Sequence, residues 1–224
     1  MTSVIEMRHT DGRVELRKSD GGDVLGGYAL KFNKLSQNLG GFVERVAPGA
    51  VTKTLRDGGD VLARFQHLDE FILGRTLSET LRMSVDEVGL TYEVDLPDTS
   101  YARDLAVLAA RGDVQHSSFA FRTIADEWGF TEQGFPLRTL TEIQLVDVAP
   151  VVNPAYLDTT SGLRTLAESR ALSVDDVRAA AEAGRLGDII TPPEDKREAT
   201  PGDTHAALAL RRRRAEHDHL RTPR

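Results

Sequence analysis

The sequence predicts a β-rich α+β domain followed by a helical, partly disordered C-terminal tail. Three observations predict it. Short stretches of alternating apolar and polar residues, bounded by Gly, Pro and Asn, fill the chain from about residue 24. One segment within that body has clean helical spacing, and beyond about residue 165 the composition turns to alanine, proline and arginine. The expected organisation is a leading segment at 1–23, a body at 24–165 and a tail at 166–224.

Taken in order, "VLGGYALKFN" (24–33) alternates as a strand, and "NKLSQNLGG" after it has the polar and glycine content of a loop. "FVERVAPGAVTKTLRDGGD" reads as a short strand, a Pro-Gly turn and a short helix ending at Gly58 and Gly59. "VLARFQHLDEFILGRT", "LRMSVDE" and "GLTYEVDLP" follow as strands with turn signals between them. "DTSYARDLAVLAARGD" is the helix of the body, with capping residues at its start, Tyr101, Leu105 and Leu108 at helical spacing, and Gly112 just past its end. "VQHSSFAFRTIADEW" and "FPLRTLTEIQLVDVAPVV" are again strands. In the tail, "LSVDDVRAAAEAGRL" is a lone helix and "TPPEDKREATPGDTH" a charged, proline-rich linker. The last 24 residues hold six arginines against Asp203, Glu216 and Asp218, which is the pattern of a solvated or docking segment.

The charge balance excludes several classes of function. With 28 basic and 35 acidic residues the net charge is −7, so non-specific attraction to nucleic acid or an anionic membrane is not expected. No run approaches the roughly 18 apolar residues of a membrane span, and the N-terminus has no apolar signal core, so a soluble, cytoplasmic protein is expected. The absence of cysteine removes thiolate chemistry, disulfides and cysteine zinc sites. "HDH" near the C-terminus is too short to make a metal site.

Any covalent catalysis therefore needs another nucleophile, and "QHSSFAFR" (115–122) offers two serines. In a strand Ser117 shares a face with Phe119 and Phe121, so burying the rings buries it too. Ser118 lies on the other face with Ala120 and Arg122, where a substrate has room. A serine needs a base, and of six histidines only His67 and His116 lie in the body. His116 is badly aimed from the same strand face, whereas His67 lies on a different strand and can converge in space. Orienting carboxylates are available in Asp69 and Glu70, close to His67, and in Glu142, which shares a face with Gln144.

The ordered set "GYALKFN", "FVERVAPGAVTKTL", "DVLARFQHLDEFILGRT", "GLTYEVDLPDTSYARDLAVLAARGDVQHSSFAFR" and "EIQLVDVAPVVNPAY" resembles the prohead maturation proteases of tailed bacteriophages. That serine endopeptidase family is similar in fold to herpesvirus assemblin, and the likeness runs from about residue 24 to 160. It implies an assemblin-like protease barrel with peripheral helices. The family's histidine falls on His67 and its nucleophile on Ser118, which strand alternation selects independently. The third member in the herpesvirus relatives is a second histidine, and the matching position here is Glu142; Asp69 remains a rival. Leu68 stands where the family often has an acidic residue after the histidine, and "LSET" replaces a small-residue turn.

The resemblance implies an endopeptidase acting inside the immature capsid, within the host cytoplasm. It would cut the scaffolding portion of the major capsid protein and its own chain, the latter in the linker around residues 190–205. Such acyl transfer requires no cofactor and no metal. Analogy with assemblin allows a homo-oligomer. A different class of function, a catalytically idle assembly factor binding capsid protein through its tail, shares the same sequence features.

Overall fold

The computed structural model describes residues 4–10, 12–18, 21–153 and 160–191. The described residues up to Ile190 belong to one compact unit. The proline-rich linker and the arginine run lie outside the described residues.

The order of strands and helices follows the alternation and punctuation of the sequence. The first half comprises β1 (Glu6–Thr10), β2 (Glu15–Arg17), β3 (Val24–Lys31), β4 (Val43–Val46), α1 (Thr52–Arg56), β5 (Leu62–Arg64) and β6 (Ile72–Arg75). The second comprises β7 (Leu81–Val85), β8 (Gly89–Asp95), α2 (Ser100–Arg111), β9 (His116–Phe130), β10 (Pro136–Val151), α3 (Thr160–Arg170), α4 (Val174–Glu182) and α5 (Leu186–Ile190). Helix α2 ends where Gly112 adopts φ +84°, a left-handed conformation that glycine takes without steric cost.

These strands form two sheets. One runs β1-β9-β10-β5-β6, with β4 also on β10; the other runs β2-β3-β8-β7. Both paths are open among the described residues, so their pairings do not close the barrel expected from the sequence. The fold is a strand-rich α+β arrangement. The leading segment is part of it, with β1 antiparallel to β9 and β2 antiparallel to β3.

Alternation along β9 sorts side chains between two environments. Phe119 and Phe121 join the main core with Leu25, Leu90, Val94, Leu145 and Val148. Ser117 sits on that same side and meets the Tyr92 hydroxyl at 3.2 Å. Ser118 faces the other way, opposite His9 on β1 and Ala149 on β10.

The segment 160–190 forms three helices where the sequence suggested one. Leu163 and Leu166 of α3, Val177 and Ala181 of α4, and Leu186 and Ile190 of α5 share a second core with Leu39 and Phe42. Gly162 permits the close approach, because a Cβ there would stand 2.6 Å from the Phe42 ring. Ser173 caps α4 by accepting the Asp176 backbone N–H at 3.1 Å, as a Ser-x-x-Asp start does.

Beneath β1 lies a buried charge cluster. Arg138 is fully buried and reaches Glu6 and Glu44 at 2.8 Å and Asp126 at 2.6 Å. Arg8 pairs with the same two glutamates, at 2.8 Å to Glu6 and 2.9 Å to Glu44. Buried charges are tolerated when paired in this way.

Candidate active site

The hairpin of β5 and β6 carries His67 on a short 3₁₀ turn, Phe65–His67, not on a strand. Gln66 and His67 both adopt φ +60°, a region that costs a non-glycine residue about 1–3 kcal/mol and persists only where the surroundings enforce it. Enforcement comes from both sides of the turn. Phe65 donates its N–H to Phe71 O at 3.0 Å, and Phe71 in turn donates to Leu68 O at 3.1 Å. The Phe71 ring lies 5.3 Å from that of Tyr101 on α2, whose hydroxyl donates to Ile72 O at 2.6 Å.

So held, the imidazole reaches two partners. Its Nε2 lies 2.7 Å from Ser118 Oγ, and its Nδ1 lies 2.5 Å from Asp147 Oδ1. With the proton on Nδ1, His67 donates to the carboxylate and accepts from the hydroxyl. That tautomer prepares the serine oxygen for attack on a carbonyl. Asp147 is 2 % exposed, and its second oxygen meets Arg64 at 2.8 Å. Ser118 is fully buried, and its hydroxyl also lies 3.0 Å from Arg8 O on β1. At the free edge of β1 a cleft of about 320 Å³ is bordered by His9, Lys34, Leu35, Arg45 and Phe119.

A family model described as caudovirus prohead serine protease matches residues 12–171. The chain belongs to the caudovirus prohead serine protease family. Among solved structures it is similar to the bacteriophage T4 capsid assembly protease gp21, at 12% identity and a TM-score of 0.49. That likeness covers 69% of this chain and 100% of the T4 chain. No curated protein matches the chain.

In this prohead protease family member the structure brings Ser118 and His67 together but leaves Glu142 elsewhere. Glu142 pairs with Lys53 of the α1 helix at 2.9 Å, and Asp147 stands in the position beside His67. A β-bulge is the reason. Leu145 is opposite Phe121 and Asp147 is opposite Ala120, so Val146 is an extra residue on β10. Regular alternation from Glu142 and Gln144 would turn Asp147 toward the core with Leu145. The extra residue instead turns it to the face of Ala120 and Ser118. The sequence signal was a carboxylate set among valines in "QLVDVAP", a placement that needs a partner.

Asp69, the rival orienter, is ion-paired with Arg64, and its side chain is 86% exposed. His116 opens β9 opposite Val151. Among the described residues the Ser117 hydroxyl meets the Tyr92 hydroxyl, and burial pushes that phenol up to about 12 against the opposing effect of the Ser117 contact. Tyr92 is thus neutral near pH 7 and cannot take the Ser117 proton.

Proposed function

We propose that this protein is the maturation endopeptidase of a phage prohead, using Ser118 as nucleophile, His67 as general base and Asp147 as the carboxylate behind it. Its substrates are the scaffolding portion of the capsid protein and its own chain, cut inside the assembling capsid. Family membership supports the reaction class. The observation that carries the reading is His67 set between Ser118 Oγ at 2.7 Å and Asp147 Oδ1 at 2.5 Å.

The chemistry follows from those contacts. Ser118 Oγ adds to the scissile carbonyl carbon while its proton passes to His67 Nε2, and Asp147 stabilises the resulting imidazolium through Nδ1–H. Collapse of the tetrahedral adduct breaks the C–N bond, and Nε2–H protonates the departing amine. Water then repeats the sequence on the acyl-enzyme, returning the proton to Ser118.

A fully buried nucleophile cannot accept a peptide as it stands, so the described form is a resting state that must open to substrate. Self-trimming in the linker around 190–205, at any bond beyond Ile190, would leave the α3–α5 helices and their shared core in place.

The test is co-expression of the full chain with the major capsid protein of the same phage. The parent is expected to shorten itself and its partner, and Ser118→Ala to leave both at full mass. Equal trimming in the two cultures, or none in either, overturns the reading.

A further inference from the structure

Arg64 has no part in proton transfer, yet it touches both halves of the site. Its side chain is 12% exposed, and one guanidinium nitrogen holds Asp147 Oδ2 at 2.8 Å. Another pairs with Asp69, on the far side of the turn that carries His67. The buried Nε has no hydrogen-bond partner among the described residues, so the guanidinium is held by its two terminal nitrogens alone.

We infer that Arg64 is a positioning residue for the triad: it clasps the left-handed His67 turn at Asp69 and docks that clasp onto Asp147. The inference rests on the Ser118–His67–Asp147 reading. Three observations carry it. His67 and the residue before it are both in the left-handed region, so the turn needs external restraint. The pair spans that turn from Arg64 at its start to Asp69 beyond its end. Asp147 carries one oxygen on His67 and the other on Arg64, so the guanidinium fixes the carboxylate's rotation and with it the direction of the Nδ1 hydrogen bond. A lysine has one compact ammonium and cannot span both carboxylates as the planar fork does.

The test uses full-length protein and two readouts. The first is the rate at which a fluorophosphonate probe phosphonylates Ser118, the Oγ–P bond forming as fluoride leaves, resolved into the maximal rate and the concentration for half-maximal rate. Arg64→Met is expected to lower the maximal rate about 10- to 100-fold, in the range of lost supporting contacts, while the half-maximal concentration stays within about twofold. Arg64→Lys is expected to recover part of the loss. The second readout is the downfield Nδ1 proton resonance of His67, recorded in the Ser118→Ala background. It should broaden or vanish when Arg64 is removed.

Asp69→Asn changes an exposed side chain and leaves the fold intact. It should slow phosphonylation in the same direction by a smaller factor, which keeps the test decisive if Arg64→Met fails to fold. An unchanged rate and an unchanged resonance in the Arg64 and Asp69 variants overturn the positioning role while leaving the triad standing. Survival of the resonance in Asp147→Asn overturns the triad reading and the positioning role together.

Discussion

The strand pair β1–β9 separates two buried charge clusters, and they use ion pairing to opposite ends. On the core side, Glu6 and Arg8 of β1 meet Arg138, Glu44 and Asp126 in a network where each cation is shared by more than one carboxylate. On the other side, Arg64, Asp147 and His67 end in a single hydroxyl. The first cluster fixes β1, β4 and β10 relative to each other. The second has the same kinds of groups, but its chain finishes at a proton that can move. Closure makes the first cluster structural, and the open end of the second is where the proposed chemistry would take place.

The largest effect should come from the open cluster. Asp147→Asn keeps the shape but favours the wrong imidazole tautomer, and a fall on the order of 10⁴ in peptide cleavage is expected. Glu142→Gln, beside Lys53, should stay within about twofold of the parent, the range of an ordinary surface change. Reversed ranks in a cleavage assay would transfer the role to Glu142.

Breaking the closed cluster should cost stability instead. Arg138→Met leaves Glu6, Glu44 and Asp126 short of a buried cation, for an expected loss of about 3–5 kcal/mol in urea unfolding. A loss below about 1 kcal/mol would mean that Arg8 alone satisfies the glutamates.

Acid provides a milder probe of the same network. Burial pushes the Glu6 carboxyl up, but the hydrogen bond and charge of Arg138, the charge of Arg8 and the Thr123 hydroxyl together hold it below its ordinary 4.5. A lowered folded value means that its stabilisation is complete above pH 4.5 and is lost as pH falls through the depressed value. Thermal melts of the parent should therefore fall below that pH, and Glu6→Gln should flatten the slope. Parallel curves would show that Glu6 does not carry the acid sensitivity.

The smallest effect belongs to the neighbouring hydroxyl. Ser117→Ala removes one contact to Tyr92, worth about 1 kcal/mol, and should leave cleavage unchanged. Loss of cleavage equal to that of Ser118→Ala would place the wrong serine in the site.

Much of this was legible in the sequence because period-two alternation is a local property. It assigned Ser117 to the rings and Ser118 to the opposite face, as the register of β9 against β1 and β10 has it. Gly112 likewise marked the end of α2. What escaped was decided by partners. The β-bulge at Val146 exists only in relation to β9, and it changes which carboxylate faces the imidazole. The strand character of "EMRHT" is hidden because Glu6 and Arg8 read as surface charges until Glu44 and Arg138 arrive from distant segments to pair with them. His67 was expected on a strand, but its left-handed turn depends on Phe71 and the α2 helix to hold it.

A hydroxyl owns one hydrogen, and among the described residues Ser118 has two acceptors within reach: the imidazole at 2.7 Å and the Arg8 carbonyl at 3.0 Å. While that hydrogen points at the backbone, the oxygen is not being prepared for attack. Under the proposed triad the resting reactivity of the serine is therefore a time share, and the first strand of the chain, far from His67 in sequence, sets one side of it.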